Sequence, residues 1–297
     1  MNIRRKSRGN AVLISNCIFV FCIRIWATEE PVSVAKFEDV RFAEVDGHEL
    51  RLDLLVPRTE KRPRLLVFVH GGGWKEGSRK ASGFRWLVDH GYAVASISYR
   101  LTDIASHPAQ IHDCKGAVRW LRAHADRYAY DASEIVIGGT SAGGHLATLL
   151  GVTHGVKALE GDVGGNLEFS SGVSGIIDFY GGMDFIQRSG TQPEKTEEPE
   201  GIVYRLLGGP VLENKRLARQ ASPAYHVDRK DPPLLVIHGD KDNQVLIRQS
   251  ERIVERYRRK KLEVRFVVVE GGERGGEAFK TPEIRAAVLE HIRSVHD

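Results

Sequence analysis

Cysteine is nearly missing from this chain: three in 297 residues, with Cys17 and Cys22 both close to the N-terminus. Beyond residue 27 only Cys114 remains. No disulfide can form within that part, so a fold stapled by cysteine pairs is excluded. Cys114 itself reads as a small buried apolar residue. Internal repeats and low-complexity tracts are absent too, which removes repeat arrays, collagen-like chains and disordered polymers from the candidates. Long apolar runs are also lacking. The longest, Ala11 to Ile23, is too short to be read as a membrane span.

Acid is missing locally. Residues 1–27 hold Arg4, Arg5, Lys6, Arg8 and Arg24 and no Asp or Glu, a charge of +5 against +4 for the whole chain. The remainder carries 38 of the 43 basic residues against all 39 acidic ones, so it is close to neutral. A nucleic-acid binder carries its positive excess on the folded domain, so nucleic acid is not expected as a partner. Residues 1–27 read instead as a secretory signal peptide: a basic start, an apolar stretch, and small Ala27 at the cut. Asn16 interrupts the apolar stretch, Arg24 follows it, and Ile25 stands where a small residue is expected. An uncleaved anchor and a cytoplasmic extension therefore stay open. Cleavage implies a secreted or periplasmic protein with no stable membrane association. Arg4-Arg5 alone does not make a twin-arginine signal, and Phe21 before Cys22 argues against a lipoprotein site.

Residues 28–297 are long enough for one large α/β domain and short for two. Phe37–Val45 and Glu49–Leu55 alternate as two antiparallel strands turning at Asp46-Gly47. Short apolar runs follow: Leu65–Val69, Tyr92–Tyr99, Glu134–Ile137, Gly175–Tyr180, Leu234–Ile237 and Leu262–Val269. Helical stretches separate them, the clearest being Pro108–Asp126 with Ile111, Val118 and Leu121 on one face. That alternation predicts a mostly parallel sheet covered on both sides by helices. Residues 183–230 break the pattern, with short helices at Ile202–Leu207 and Lys215–Gln220. They are expected to form a small lid or wall over the sheet.

Three motifs carry chemistry. Gly139-Thr140-Ser141-Ala142-Gly143 follows a strand and opens a helix, the setting of a nucleophile elbow that lifts Ser141 above the sheet. The helix N-terminus beneath it favours a developing anion. His70-Gly71-Gly72-Gly73-Trp74 closes another strand. Acyl transfer needs backbone N–H groups around an oxyanion, and Gly72, Gly73 and Ala142 are the expected donors, with Gly71 shaping the loop. A phosphate-binding loop is disfavoured because the Walker lysine and the dinucleotide spacing are both missing. The third motif is His238-Gly239-Asp240-Lys241-Asp242-Asn243-Gln244-Val245. Asp242 is the expected catalytic acid, Asp240 is expected to tie the turn, and His238 to be structural.

These motifs, with Tyr99-Arg100, Gln110-Ile111-His112-Asp113-Cys114-Lys115, His145-Leu146-Ala147, Asp178-Phe179-Tyr180-Gly181-Gly182-Met183-Asp184, Leu206-Leu207-Gly208-Gly209-Pro210 and Ser222-Pro223, resemble one group of esterases. The group is that of cap-poor α/β-hydrolases related to the bifunctional feruloyl/acetyl esterases, cousins of the hormone-sensitive-lipase-like carboxylesterases. The likeness runs from about Val40 to Phe279. It implies an α/β-hydrolase fold and hydrolysis of carboxylic esters, with a small-molecule ester or acylated carbohydrate as partner and no metal or organic cofactor.

One residue departs from the pattern. The family places a histidine after the last strand in a Gly-His-Gly-Gly setting. Here the stretch is Gly271-Gly272-Glu273-Arg274-Gly275-Gly276-Glu277-Ala278-Phe279, with Arg274 at the histidine position. A guanidinium stays protonated and cannot accept the serine proton, though it can fork onto Asp242. His70, His112, His145, His226, His291 and His296 are not at triad spacing, and Glu273 is a poor substitute base. The expectation is a serine esterase of acetyl or feruloyl esters with impaired turnover. Two alternatives stay open: a degenerate esterase that binds ligand, and, more remotely, a prolyl-oligopeptidase-like peptidase.

Overall fold

The computed structural model describes residues 33–296; the signal-peptide reading of residues 1–27, with Cys17 and Cys22, lies outside them. Eight strands form one sheet in the order β1-β2-β4-β3-β5-β6-β7-β8. They are β1 (Val34–Val45), β2 (His48–Pro57), β3 (Arg64–Val69), β4 (Ala93–Ile97), β5 (Asp131–Thr140), β6 (Gly175–Phe179), β7 (Leu234–Gly239) and β8 (Val264–Val269). β1 and β2 form an antiparallel hairpin, β2 runs antiparallel to β4, and the other pairings are parallel. The α/β-hydrolase expectation therefore holds in topology.

Nine α-helices follow in chain order among the described residues: α1 (Ala109–Ala123), α2 (Ala125–Tyr128), α3 (Ala142–Gly151), α4 (Lys157–Glu160), α5 (Phe185–Ser189), α6 (Ile202–Leu207), α7 (Lys215–Gln220), α8 (Arg248–Lys260) and α9 (Pro282–His296). The central strands are buried on both faces, as parallel strands between helices must be. One core joins the sheet to α1 and α3, through Ile111, Val118, Leu121, Leu146 and Leu150. The opposite face packs against α9 and the 3-10 turn Arg85–His90.

Four expected elements are shorter in the structure; Gly175–Tyr180 ends at Phe179 and Leu262–Val269 starts at Val264. The apolar run Tyr92–Tyr99 is a strand only over Ala93–Ile97, because the chain then turns away to meet α1. There Asp113 accepts from the Arg100 backbone N–H (2.8 Å) and pairs with its guanidinium (2.7 Å). The helix expected over Pro108–Asp126 breaks at His124. The His124 ring lies 2.8 Å from the Trp120 carbonyl and stacks on the Trp120 indole. The His124 backbone N–H still donates to that carbonyl (3.1 Å), so the ring shares the last acceptor of α1 where the helix ends.

Residues 183–230 pack into the main core rather than forming one of their own. Phe185, Val203, Leu206, Leu207, Val211, Ala218 and Ala221 belong to the same apolar cluster as Trp74 and Leu146. Ile202 lies against the glycine loop, 3.4 Å from where a Cβ on Gly73 would be. At the other end of the sheet β8 is the outermost strand, and its Val268 is 42% exposed.

Candidate active site

The C-terminal ends of β3, β5, β6, β7 and β8 deliver the glycine loop, Ser141, Tyr180, the Asp242 loop and Arg274 to one edge of the sheet. Ligands of open parallel sheets gather at this edge. Ser141 has φ 58° and ψ −119°, a conformation that a non-glycine residue rarely adopts. It is held there from both sides. Its N–H donates to the Phe179 carbonyl (2.8 Å), and its carbonyl accepts from His145 N–H (2.9 Å) at the start of α3. Gly139 and Gly143 make the turn possible: a Cβ on Gly143 would lie 2.0 Å from the Val69 carbonyl, and one on Gly139 would lie 2.5 Å from it.

The glycine loop folds back on itself. Lys75 and Glu76 N–H both donate to the Gly72 carbonyl (3.1 Å), with Gly72 at φ 108°. The loop passes close to the elbow, since a Cβ on Gly71 would be 3.3 Å from that of Ser141. Among the described residues, the N–H groups of Gly72, Gly73 and Ala142 donate to no protein acceptor. Tyr99 supports the loop from below, its hydroxyl donating to the His70 carbonyl (3.1 Å) while its ring stacks on His70.

The two candidate acids part company. Asp240 is exposed, whereas Asp242 is buried. Asp242 also ties the turn, the role expected of Asp240: its Oδ1 accepts from Gln244 N–H (2.8 Å) and Val245 N–H (3.0 Å). Its Oδ2 lies 3.3 Å from His238 Nε2 and pairs with Arg274. Burial pushes the Asp242 carboxyl up, but His238, Arg274 and the two amides outweigh it and hold the group below the ordinary range. His238 is fully buried, with Nδ1 2.6 Å from Ser250 Oγ and Nε2 2.8 Å from the Val245 carbonyl.

Arg274 bridges the acid and the serine. Nη1 donates to Asp242 Oδ2, and Nη2 donates to Ser141 Oγ (2.5 Å) and to the Tyr180 carbonyl (3.3 Å). Its guanidinium also lies 4.9 Å from the centre of the Tyr180 ring. The serine oxygen thus accepts a charge-assisted hydrogen bond where a nucleophile would give up its proton. Among the described residues no histidine nitrogen bonds Ser141 Oγ. His145 is buried with Nε2 2.7 Å from the Ala221 carbonyl. His112 and His226 bond the carbonyls of Ala158 and Gln220. His291 and His296 are buried on α9, and Glu273 is exposed.

The burial of two ionisable groups escaped the sequence reading. Asp178, at the end of β6, is fully buried, with Oδ1 accepting from Gly181 N–H (2.9 Å) and Oδ2 unpartnered. Burial raises it to about 8, against the opposing pull of that amide and Arg274. Arg188 on α5 is 1% exposed, and no carboxylate pairs with it among the described residues. It donates to Gln192 Oε1 (3.2 Å) and to the Gln244 carbonyl (2.7 Å) on the Asp242 loop. Burial and the nearby Arg274 charge push it down to about 10. Asp178 opens the motif Asp178 to Asp184, but no local pattern marks the burial of either residue, because that burial comes from segments far away in sequence.

A cavity of about 680 Å³ opens behind the elbow, with Phe68, Phe84, Phe179 and Phe279 among its walls. Thr140 and Gly275, the chain neighbours of Ser141 and Arg274, line its near side.

Known proteins share this arrangement of chain. Residues 52–257 match the family model described as BD-FAE. Esterase LipC of Mycobacterium tuberculosis is 33% identical over 197 residues, covering 65% of this chain and 48% of LipC. The chain spans about half the length of the curated relatives it matches. A truncated carbohydrate esterase from gut microbiota superposes with a TM-score of 0.83 at 30% identity, covering 91% of this chain and 99% of that one. A bifunctional GH43-CE protein of Bacteroides eggerthii gives 0.79 at 33% identity, covering 87% of this chain and 38% of that one.

Proposed function

The chain belongs to the BD-FAE family, and from that premise we propose that it is a serine-dependent carboxylic-ester hydrolase whose turnover is held back by Arg274. Ser141 is the nucleophile, Gly72, Gly73 and Ala142 donate to the oxyanion, and Asp242 is the acid. The strained elbow, with Ser141 at φ 58° above the start of α3, is the observation that carries the reading. A strained backbone is maintained where the surrounding structure enforces it, and here it presents one hydroxyl beside unpartnered amides.

The mechanism runs short at proton transfer. Attack on an ester carbonyl needs the Ser141 proton removed, and general bases supply about 10²–10⁴ in rate. A guanidinium offers donors and no acceptor, and Arg274 donates to Ser141 Oγ. What remains is binding, orientation and oxyanion stabilisation, which sustain slow turnover. The aromatic cavity behind Thr140 has room for an acyl or alcohol group, and the likeness to a carbohydrate esterase supports acetyl or feruloyl esters of carbohydrates as substrates. The guanidinium across the acid and the serine favours a second reading, a ligand-binding protein derived from an esterase.

p-Nitrophenyl acetate hydrolysis by wild type, Ser141→Ala and Arg274→His decides between them. The expected result is slow Ser141-dependent turnover in wild type, raised about 10²–10⁴-fold by Arg274→His. Wild type equal to Ser141→Ala, with gain in Arg274→His, gives the binding protein. No activity even in Arg274→His sinks the ester-site reading itself.

A further inference from the structure

We infer that the cleft at Ser141 is a receptor for a carboxylate anion, the acid half of an ester, and that Arg274 is the residue that prefers the acid to the neutral compound. The inference rests on the ester-site reading above and adds to it the charge state of the ligand.

The first ground is the set of donors. Gly72, Gly73 and Ala142 N–H donate to nothing else among the described residues. Arg274 reaches into the same place, with Nη2 on Ser141 Oγ. A neutral ester offers such a group one weakly basic carbonyl oxygen. A carboxylate offers two oxygens and a full charge, and hydrogen bonds to ionised groups are roughly twice as strong as neutral ones.

The second ground is the charge balance around the acid loop. Arg274 bonds Asp242 itself, and Arg188 bonds the carbonyl of Gln244, two residues further on. Two guanidinium groups thus lean on a loop with one buried carboxylate, Asp242. Asp178 lies on the neighbouring strand, and at about 8 it is mostly uncharged at neutral pH. His145, lowered to about 4 by burial, is uncharged as well. Glu194, whose charge also reaches Arg188, is exposed to solvent. Asp184, buried at the start of α5, is paired with Arg252 (3.1 Å), so Arg188, Arg274 and Asp242 together leave one positive charge in excess. A histidine at position 274 would be neutral in its resting state and would leave Arg188 and Asp242 in balance. Replacing that base by a permanent cation turns a proton acceptor into an anion anchor. Product acid would then be held where an esterase must release it.

The test measures binding of acetate and ferulate against acetamide and ferulamide, which are neutral and resist hydrolysis, by titration calorimetry or ligand-observed NMR in low salt. Wild type is expected to bind each acid at least about tenfold tighter than its amide, the scale of one charge-assisted hydrogen bond. Arg274→Gln is expected to erase that preference, with circular dichroism reporting that the variant is folded. Asp242→Asn removes the opposing negative charge and is expected to strengthen acid binding. Equal binding of acid and amide by wild type overturns the inference, as does a preference that survives Arg274→Gln. Should Arg274→Gln not fold, acid binding unchanged or weaker in Asp242→Asn overturns it. These readings are independent of turnover: an inactive Arg274→His removes the ester-site reading but leaves the acid-to-amide ratio as measured.

Discussion

At residue scale, what matters is how little room the elbow leaves. Gly143 has the Val69 carbonyl 2.0 Å from where its Cβ would be, and a backbone atom cannot swing aside as a side chain can. Gly143→Ala should therefore destabilise the fold by about 3 kcal/mol or more. Gly47 tests the opposite case: its φ is +78° but nothing lies within 4 Å of its Cβ position. Gly47→Ala should cost only the left-handed conformation, about 1–2 kcal/mol. Urea midpoints of the two variants measure the difference, and equal losses would show that β3 yields to the added methyl group at Gly143. The need for glycine was legible in the pentapeptide. The position of Arg274 was legible too, because the glycines around it and the following Glu-Ala-Phe marked the place. Its reach was not. A guanidinium long enough to touch Asp242 and Ser141 together is a fact of geometry, and Arg188 left no trace in local sequence.

At element scale, the motif Gln110 to Lys115 is a clamp between α1 and its neighbours rather than part of the site. Asp113 is fully buried and receives both the backbone and the guanidinium of Arg100. Lys115 Nζ donates to the Thr153 carbonyl (2.6 Å) and to Glu160 (2.7 Å). Gln110 donates to the carbonyls of Arg100 (3.0 Å) and Ala105 (2.6 Å). Asp113→Ala would leave a largely buried guanidinium without its counter-charge, a loss of about 3–5 kcal/mol. Chemical denaturation measures it, and a loss under about 1 kcal/mol would mean that water reaches Arg100. The alternation of strands with helices and the buried face of α1 were legible because apolar runs of this kind must bury themselves between layers; the strand order was not. Element ends were not, since side chains such as His124 and Asp113 set them through contacts that periodicity does not encode.

At the scale of the whole molecule, buried ionisable groups of two kinds set the pH response. Burial lowers His107 to about 3 and His145 and His291 to about 4, all below the ordinary 6.5. Each favours folding above about 6.5, and that contribution is lost as pH falls toward the folded value. Asp178 and Asp231 are raised by burial to about 8 and about 7, from 3.8. Their contribution is present below about 4 and is lost as pH rises through those values. Burial lowers His70, His226 and His296 as well, so the histidines outnumber the two acids below pH 6.5, and above it these acids dominate. Stability should therefore peak near pH 6.5, as read by thermal melting across pH 4–9. Asp178→Asn should flatten the alkaline side, and an unchanged alkaline slope would show that Asp178 does not hold its proton.

The open flank of the sheet bears on how the protein behaves in company. β8 reads Val-Arg-Phe-Val-Val-Val over Val264–Val269, and its outer backbone groups face away from the sheet. Such a strand is a template on which another chain can extend the ladder. Arg265 is its single charge, exposed and paired with Glu290 (2.5 Å). Solubility at high concentration thus depends on a few gatekeeper charges at the margin of the fold, Arg265 with the exposed Glu263 and Glu270 at the strand's two ends, far from the chemistry at its centre.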